Sequence, residues 1–256
     1  MKRHWPEYAM EMAGLACFMA AAVVITTTVE HPASPLRAAV PSAIARRALI
    51  GVGMGLTAAA LIYSPWGRRS GAHLNPAVTL SYLRLGKVGL ADAGFYVAAQ
   101  FAGAALGLGA AAALLRGAAA NAAVHYVATV PGVAGAAAAF GAELAISFGM
   151  MTTILAVSNT PRAAHFTGAI AACLIAAYIT IEAPLSGMSM NPARTFAPAI
   201  AAGASRFLWI YFIAPPLGML LAAETYLRRH GAAAVRCAKL HHPAAGPCHF
   251  NCGKAV

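Results

Sequence analysis

Two tripeptides of identical sequence, Asn75-Pro76-Ala77 and Asn191-Pro192-Ala193, lie in strongly apolar surroundings. Asparagine is a preferred N-cap residue and proline is favoured at the first helical position, so each tripeptide predicts the start of a helix. The asparagine side-chain oxygen can cap a free backbone N–H, which leaves the NH₂ group free to donate elsewhere. The two tripeptides therefore predict paired hydrogen-bond donors at helix N-termini, each end carrying a partial positive charge of about 0.5.

The composition predicts that these donors lie inside a membrane protein. Hydrophobic residues make up 60% of the chain and charged residues only 10%, with a mean hydropathy of +0.68, whereas a soluble domain carries about 25% charged residues. The formal net charge of +11 could indicate nucleic-acid binding. No basic, aromatic-interleaved surface remains outside the apolar stretches, so we assign the charge to cytoplasmic loops and expect no nucleic-acid partner.

Six apolar stretches are each close to the ~20 residues that cross a bilayer. They cover approximately residues 7–29, 44–63, 92–115, 137–158, 165–182 and 207–228. Lys2 and Arg3 could indicate a signal peptide, but the first stretch exceeds the about 7–15 residues of a signal h-region and is predicted to span the membrane. Twelve lysines and arginines fall on the side of the N-terminus and five on the other, which predicts that both termini are cytoplasmic.

The order of these features repeats along the chain. Glu11 lies in the first stretch and Glu143 in the fourth, and each begins a unit of three spans with an Asn-Pro-Ala tripeptide after the second. An odd number of spans gives the two units opposite orientations, and such inverted repeats bring broken helices together near the midplane. We expect half-helices over about 76–86 and 192–202, repeats over about 7–115 and 137–228 in a domain of residues 1–228, and a cytoplasmic tail over 229–256.

The two tripeptides, Ser70-Gly71-Ala72-His73 before the first and Arg194 after the second make the chain resemble a bacterial-type member of the aquaporin and aquaglyceroporin, or major intrinsic protein, superfamily. The resemblance covers roughly residues 6–228. It implies an all-α membrane protein with six transmembrane helices, two half-helices and an inverted repeat. It also implies a passive channel for water and small neutral solutes that excludes protons and ions. The expected assembly is a homotetramer in the lipid bilayer of the cell inner (plasma) membrane, with no cofactor and no enzymatic activity.

The same resemblance assigns a selectivity filter to four positions. Three of them are Arg194, Met188 and Ile179, and the fourth is Gly55 or, in an alternative register, Met54. Water-selective members carry a phenylalanine and a histidine at two of these places. Because this chain carries neither, its filter is expected to be wider and more apolar than a strict water filter.

Two further features favour the water-channel branch of the superfamily. Thr195 stands where glycerol facilitators typically carry an aspartate, and Tyr211 and Phe212 form an aromatic pair in the last span. The expected primary solute is therefore water, with glycerol, urea and hydroxylated metalloids as further solutes.

Three polar side chains are each open to two interpretations. Glu11 and Glu143 lie within predicted spans, where carboxylates serve as proton relays in pumps, whereas the resemblance implies that they accept hydrogen bonds from the backbone of the Asn-Pro-Ala loops. His73 either lines the cytoplasmic vestibule or is a packed, hydrogen-bonded histidine. The alternative function, an ion- or proton-coupled secondary transporter of a small solute, would need Glu11, Glu143 or Glu182 along the path. No nucleophile–base set or phosphate loop in the sequence indicates an enzyme.

The predicted tail contains a separate group of candidate metal ligands, namely His241, His242, Cys248, His249 and Cys252. Sulfur and imidazole ligands suit zinc or copper, but the spacing is not that of a standard zinc finger. A metal site and a disordered tail with incidental cysteines and histidines are both consistent with this pattern. No disulfide is expected in a reducing compartment.

Overall fold

The computed structural model describes residues 4–242, 248–250 and 252, and every regular element within these residues is helical. Several helices begin at a proline that follows a serine or asparagine cap, as the sequence predicts for the two half-helices. The α-helices are α1 (Trp5–Glu30), α2 (Pro35–Ala39), α3 (Ala43–Tyr63), α4 (Pro65–Ser70), α5 (Pro76–Arg84), α6 (Leu90–Leu114), α7 (Gly135–Ser158), α8 (Thr167–Ile181), α9 (Ala183–Ser186), α10 (Pro192–Ala201) and α11 (Leu208–His230). Single 3₁₀ turns lie at Ala118–Ala120, His125–Val127, Ala164–Phe166, Ser205–Phe207 and Ala232–Ala234.

Six of these segments are long and apolar enough to cross a membrane: Trp5–Glu30, Ala43–Tyr63, Leu90–Leu114, Gly135–Ser158, Ala164–Ile181 and Ser205–His230. The shortest has 18 residues, which at 1.5 Å per residue spans about 27 Å of a hydrocarbon layer about 30 Å thick. Large apolar side chains such as Val52, Leu56 and Leu106 stay exposed on the outer faces of the long helices. The chain is a multi-pass membrane protein, and the predicted six spans are confirmed.

The helices are arranged as two intertwined halves. Within the halves α1 packs against α6 and α7 against α11, while α3 and α8 pack against each other across the halves. The half-helix α5 lies against α11, and α10 lies against α6, so each half-helix contacts the last long helix of the other half. Arg84, at the end of α5, pairs with Glu224 near the end of α11 at 2.5 Å, whereas α10 ends shortly before α11 begins. The two half-helices thus run toward opposite faces, as the inverted repeat predicts.

Glycine allows the closest of these helix pairs to touch through their backbones. A Cβ atom on Gly103 or Gly107 of α6 would collide with the carbonyl oxygen of Met12 or Ala16 in α1. On α3, a Cβ on Gly55 would lie 2.5 Å from the carbonyl oxygen of Ala172 in α8. Membrane helices associate through such van der Waals contact because lipid supplies no hydrophobic driving force between them.

The chain after α11 is a packed part of the bundle. We call its described residues (231–242, 248–250 and 252) the tail. The face of the bundle on which they lie is the tail side, and the opposite face is the far side. Val235, Ala238 and Leu240 of the tail are buried in the same apolar cluster as Val78 and Tyr82 of α5. Because α11 continues to His230, the predicted tail boundary at residue 229 falls inside this helix.

Candidate functional site

The two loops that precede the half-helices share an unusual backbone. Positive φ angles occur at Gly71 (101°), Ala72 (54°) and Leu74 (48°) in the first loop and recur in the second, at Gly187 (83°), Met188 (53°) and Met190 (53°). A left-handed backbone at a non-glycine residue costs on the order of 1–3 kcal/mol, so the surrounding structure has to impose it. The third residue of each loop, His73 or Ser189, does not have a positive φ angle. The two loops therefore present their backbone groups in the same way.

Glu11 holds the first loop in this conformation. Its Oε1 accepts from Ser70 Oγ (2.8 Å) and from the His73 backbone N–H (3.0 Å). Its Oε2 accepts from the Leu74 backbone N–H (2.7 Å) and from Gln100 Nε2 (2.9 Å). These four hydrogen bonds to a charged acceptor are of the stronger kind, and they satisfy backbone donors that a membrane interior would otherwise leave unpaired.

Glu143 makes the corresponding contacts in the second loop. Its Oε1 accepts from Ser186 Oγ and from the Ser189 N–H, and its Oε2 accepts from the Met190 N–H, all at 2.7 Å. The symmetry extends to two tyrosines, because Tyr96 O–H donates to the Ser70 carbonyl (2.6 Å) and Tyr211 O–H donates to the Ser186 carbonyl (2.5 Å). Sequence reasoning missed the roles of both serines and both tyrosines, although all four recur at matching places in the two repeats.

The two asparagines join the loops at the centre of the bundle. Asn75 Oδ1 accepts from the N–H of Ala77 (2.8 Å), and Asn191 Oδ1 accepts from the N–H groups of Ala193 (3.1 Å) and Arg194 (3.2 Å). Each NH₂ group crosses to the other loop, where Asn75 Nδ2 donates to the Met190 carbonyl (2.7 Å) and Asn191 Nδ2 donates to the Leu74 carbonyl (2.8 Å). An amide NH₂ carries two donors, so one N–H of each asparagine remains for a third group.

A cavity of about 310 Å³ passes between the half-helices, and both asparagines line it. Most of its wall is apolar, and its polar lining residues are Thr26, Arg47, His73, Asn75, Ser189, Asn191 and Arg194. None of the described residues that line it is an aspartate or a glutamate. Glu11 and Glu143 lie behind the loops, outside the lining.

Arg194 lines this cavity with a buried guanidinium nitrogen that lacks a partner among the described residues. This atom is Nη1, and its lack of an acceptor there is unusual because buried polar atoms nearly always find a partner. A second arginine, Arg47, also lines the cavity while its Nε donates to the Thr180 carbonyl at 3.0 Å. Arg47 is one of the five basic residues that the charge pattern assigns to the side opposite the N-terminus, where no role in a pathway was predicted for it. Two cationic side chains therefore face the same space.

Met54, Ile179, Met188 and Arg194 all line the cavity, and the expectation that Gly55 belongs to this set is wrong. Gly55 faces the backbone of Ala172 in α8, where it allows close helix packing. Met54 precedes it by one residue, which turns its side chain by about 100° around the helix and into the cavity. The alternative register gives the residue that lines the cavity.

His73 combines both interpretations left open by the sequence. It lines the cavity, yet both of its ring nitrogens are engaged: Nε2 lies 2.8 Å from the Ala238 carbonyl and Nδ1 lies 3.1 Å from Thr79 Oγ1. Because a carbonyl only accepts, Nε2 carries the proton and donates to Ala238. The ring is stacked between Tyr82 and Phe250, with centroid distances of 5.2 and 5.4 Å.

The metal-ligand candidates of the tail are only partly brought together. His242, Cys248 and Cys252 join Cys237, and their ligand atoms all lie within 4.8 Å of one another. The inclusion of His241 and His249 was wrong, because His241 packs edge-on against Tyr63 and His249 is hydrogen-bonded to Tyr96. Cys237 was missed, although the run Cys-x4-His-x5-Cys-x3-Cys is readable in the sequence.

Two of these thiols interact directly. The Sγ atoms of Cys237 and Cys248 are 3.5 Å apart. The hydrogen bond between the two thiols lowers the pKa of Cys248 to about 4. The same hydrogen bond, together with burial, raises the pKa of Cys237.

Comparison with known proteins agrees with this geometry. Residues 4–226 match the major intrinsic protein family. The chain is 36% identical over 174 residues to aquaporin NIP1-3 of Oryza sativa subsp. japonica (67% of this chain, 58% of that protein) and 38% identical over 191 residues to aquaporin NIP2-2 of Zea mays (71% and 60%). It is 33% identical over 193 residues to human aquaporin-4 (70% and 55%).

The chain spans between one half and two thirds of the length of these curated relatives. The X-ray structure of the aquaglyceroporin from Plasmodium falciparum has the same fold, with a TM-score of 0.74 at 22% identity, over 87% of this chain and 95% of that one. The family match covers most of the sequence, including both Asn-Pro-Ala loops. The chain therefore belongs to the major intrinsic protein family.

Proposed function

We propose that this protein is a passive transmembrane channel for water and small neutral solutes that excludes protons and ions, and that it has no enzymatic role. The observation that carries the proposal is the donor set of the cavity. The buried Nη1 of Arg194 has no acceptor among the described residues, and one N–H of Asn75 and of Asn191 is left over at the cavity wall. Such donors suit the oxygen atom of a passing neutral molecule.

Electrostatics in this cavity favour neutral solutes over cations. The N-termini of α5 and α10 meet at the asparagines, and each helix end contributes a partial charge of about +0.5. Arg194 and Arg47 add two full positive charges to the wall. A water molecule that accepts from both asparagines has few directions in which to donate, which interrupts a proton-conducting chain of waters.

The apolar part of the wall favours solutes somewhat wider than water. Met54, Ile179 and Met188 surround the space next to Arg194. Ile179 offers neither the donor nor the ring of a histidine, and a methionine is more flexible than a phenylalanine. We therefore include glycerol, urea and neutral hydroxylated metalloids among the proposed solutes, with water as the primary one. The names aquaporin and aquaglyceroporin among the similar proteins support this choice.

The geometry of the cavity does not favour a proton-coupled transport mechanism. Such a mechanism needs a carboxylate that the permeation path can protonate, and none lines the cavity among the described residues. The oxygens of Glu11 and Glu143 already accept hydrogen bonds from the two loops. Both residues are thus proposed as structural carboxylates.

The proposal extends to location and assembly. We propose that the tail side is the cytoplasmic face of the cell inner (plasma) membrane, because cytoplasmic loops are enriched in basic residues. The helix ends on this side carry Arg68, Arg69, Arg84, Arg228 and Arg229. A homotetramer is proposed from the family, and the exposed apolar side chains of the long helices provide surface that another copy can cover. Cross-linking in native membranes should then stop at a four-chain product.

Proteoliposomes test the channel directly. Stopped-flow light scattering after an osmotic step measures water flux, the slower re-swelling measures glycerol or urea entry, and an internal pH dye reports proton leak. Water flux well above that of protein-free liposomes, without proton leak, is expected. Solute entry that saturates at low concentration and requires a proton gradient would overturn the proposal in favour of coupled transport.

A further inference from the structure

The tail carries a four-ligand cluster that the channel proposal does not use. Cys237, His242, Cys248 and Cys252 present three sulfur atoms and one imidazole nitrogen within 4.8 Å of one another. Three cysteines and one histidine is a ligand set of structural zinc sites, in which four protein ligands close a tetrahedron. We propose that these four residues bind zinc or a similar thiophilic divalent cation, and that the bound metal fixes the tail across the tail-side end of the cavity. The second half of this proposal rests on the proposed channel function.

The observed spacings are close to those that a tetrahedral metal requires. Bond lengths of about 2.3 Å for zinc–sulfur and about 2.0–2.1 Å for zinc–nitrogen place neighbouring sulfur atoms about 3.8 Å apart and a sulfur and nitrogen about 3.6 Å apart. Cys237 Sγ and Cys248 Sγ are 3.5 Å apart, and Cys252 Sγ lies 3.4 Å from His242 Nε2. The remaining pairs, at up to 4.8 Å, need only a small contraction. The four side chains already converge on one point.

The position of the cluster follows from how the tail is docked. The Leu240 N–H donates to the Gly71 carbonyl (3.1 Å), and the Ala238 carbonyl accepts from His73 (2.8 Å), so the tail binds the loop that leads into α5. Leu240 itself lines the cavity. The tail is thus part of the wall at the tail-side end of the pathway.

A metal at this place would join two separately docked segments. Cys237 and His242 flank the stretch that carries Ala238 and Leu240, while Cys248 and Cys252 flank Phe250. Phe250 is buried and stacks on His73 with an interplanar angle of 11°. One cation shared by all four ligands would therefore hold both segments against the same histidine.

Cobalt provides a direct probe of the metal site. The purified chain is reduced, stripped of bound metal with a chelator, desalted, and titrated with Co²⁺ and then with Zn²⁺. One equivalent of Co²⁺ should give thiolate-to-cobalt absorption in the near ultraviolet and tetrahedral bands in the visible, and Zn²⁺ should abolish both. The double variant Cys237→Ser with Cys252→Ser should lose these bands.

Two control variants test whether the cobalt bands come from these four ligands. His241→Ala removes a neighbouring imidazole that lies outside the cluster, and Cys17→Ser with Cys173→Ser removes two exposed cysteines of the membrane helices; both should bind Co²⁺ like the native chain. Absence of the bands from the reduced native protein would overturn the metal site. Equal loss of the bands in the His241→Ala variant would overturn this choice of ligands.

Flux measurements test whether the bound metal fixes the tail across the end of the cavity. Protein loaded with Zn²⁺ before reconstitution should pass water at least several-fold more slowly than protein treated with a chelator, and the Cys237→Ser, Cys252→Ser variant should be fast in both conditions. Equal flux with and without zinc in the native protein would overturn the proposal that the metal fixes the tail across the cavity. The metal site itself would still stand. No flux from any sample, including the chelated protein and the variant, would contradict the channel proposal while the cobalt spectrum still reports the site.

Discussion

The substitution Glu143→Gln isolates the carboxylate that holds the second loop. Glutamine keeps the shape of glutamate but offers one acceptor oxygen and one donor NH₂. If the oxygen stays at the Oε1 position, where it serves Ser186 and Ser189, the NH₂ group faces the Met190 N–H that the native Oε2 accepts at 2.7 Å. Two donors then oppose each other inside the protein.

The size of the effect follows from these three bonds. Losing one hydrogen bond to a charged group costs about 1.5–3 kcal/mol, and an unpaired buried donor adds about 1–3 kcal/mol. The two remaining bonds also weaken, because their acceptor is no longer charged. Some of the cost of burying a charge is recovered, so we expect a net loss of about 2–4 kcal/mol in folding stability.

The assay compares folded yield and resistance to unfolding of purified protein in detergent. Glu182→Gln is the matched control, because Glu182 is also buried but, within the described residues, its carboxylate accepts no backbone N–H from either loop. Glu143→Gln should lower both quantities, whereas Glu182→Gln should leave them unchanged or raise them. The Glu143→Gln protein that does fold should keep native selectivity. A variant that folds like the native protein yet transports nothing would refute this reasoning and favour a proton relay.

Three further variants test the pathway and the helix packing around it. Arg194→Val removes a positive charge from the cavity wall, so proton and sodium leak measured with internal dyes should rise several-fold; unchanged leak and selectivity would place this arginine outside the constriction. Met54→Phe with Ile179→His should suppress glycerol entry in the swelling assay and spare water, and unaltered glycerol entry would contradict the proposed filter. Gly107→Leu should lower the folding stability by about 1–3 kcal/mol, because its side chain would collide with the Ala16 backbone. The expected result is a smaller monodisperse fraction on size exclusion, whereas a native fraction would show that α1 and α6 can separate.

The membrane spans and half-helices were predictable because their signals are local. Apolar runs of about 20 residues identify spans, and Asn-Pro pairs mark helix starts, which the structure places at Pro76 and Pro192 as expected. The pairing of glutamate with loop backbone came from the family resemblance, since no local signal states which distant carboxylate a loop will contact. The left-handed angles at Leu74 and Met190 likewise depend on tertiary bonds and leave no trace in residue type.

Two features that the sequence did not decide have simple physical origins. The choice between Gly55 and Met54 depends on helix phase, and a shift of one residue turns a side chain by about 100°. The packed tail could not be predicted because its apolar residues follow no helical or strand period. The spacing of Cys237, Cys248 and Cys252 is readable in the sequence, but only the fold shows that their sulfur atoms converge.

The crossed amides of the two asparagines have a consequence for biosynthesis. Asn75 donates to a carbonyl 115 residues further along the chain, and Asn191 donates to one 117 residues back. When the first half enters the bilayer from the ribosome, its loop lacks this partner, and the partner does not exist until the second loop has been synthesised. Until then, the loop of the nascent first half is held only by contacts within that half, such as those of Glu11 and Tyr96. A complete permeation path arises only after the second loop has been synthesised, so chains that end before this loop should not leak.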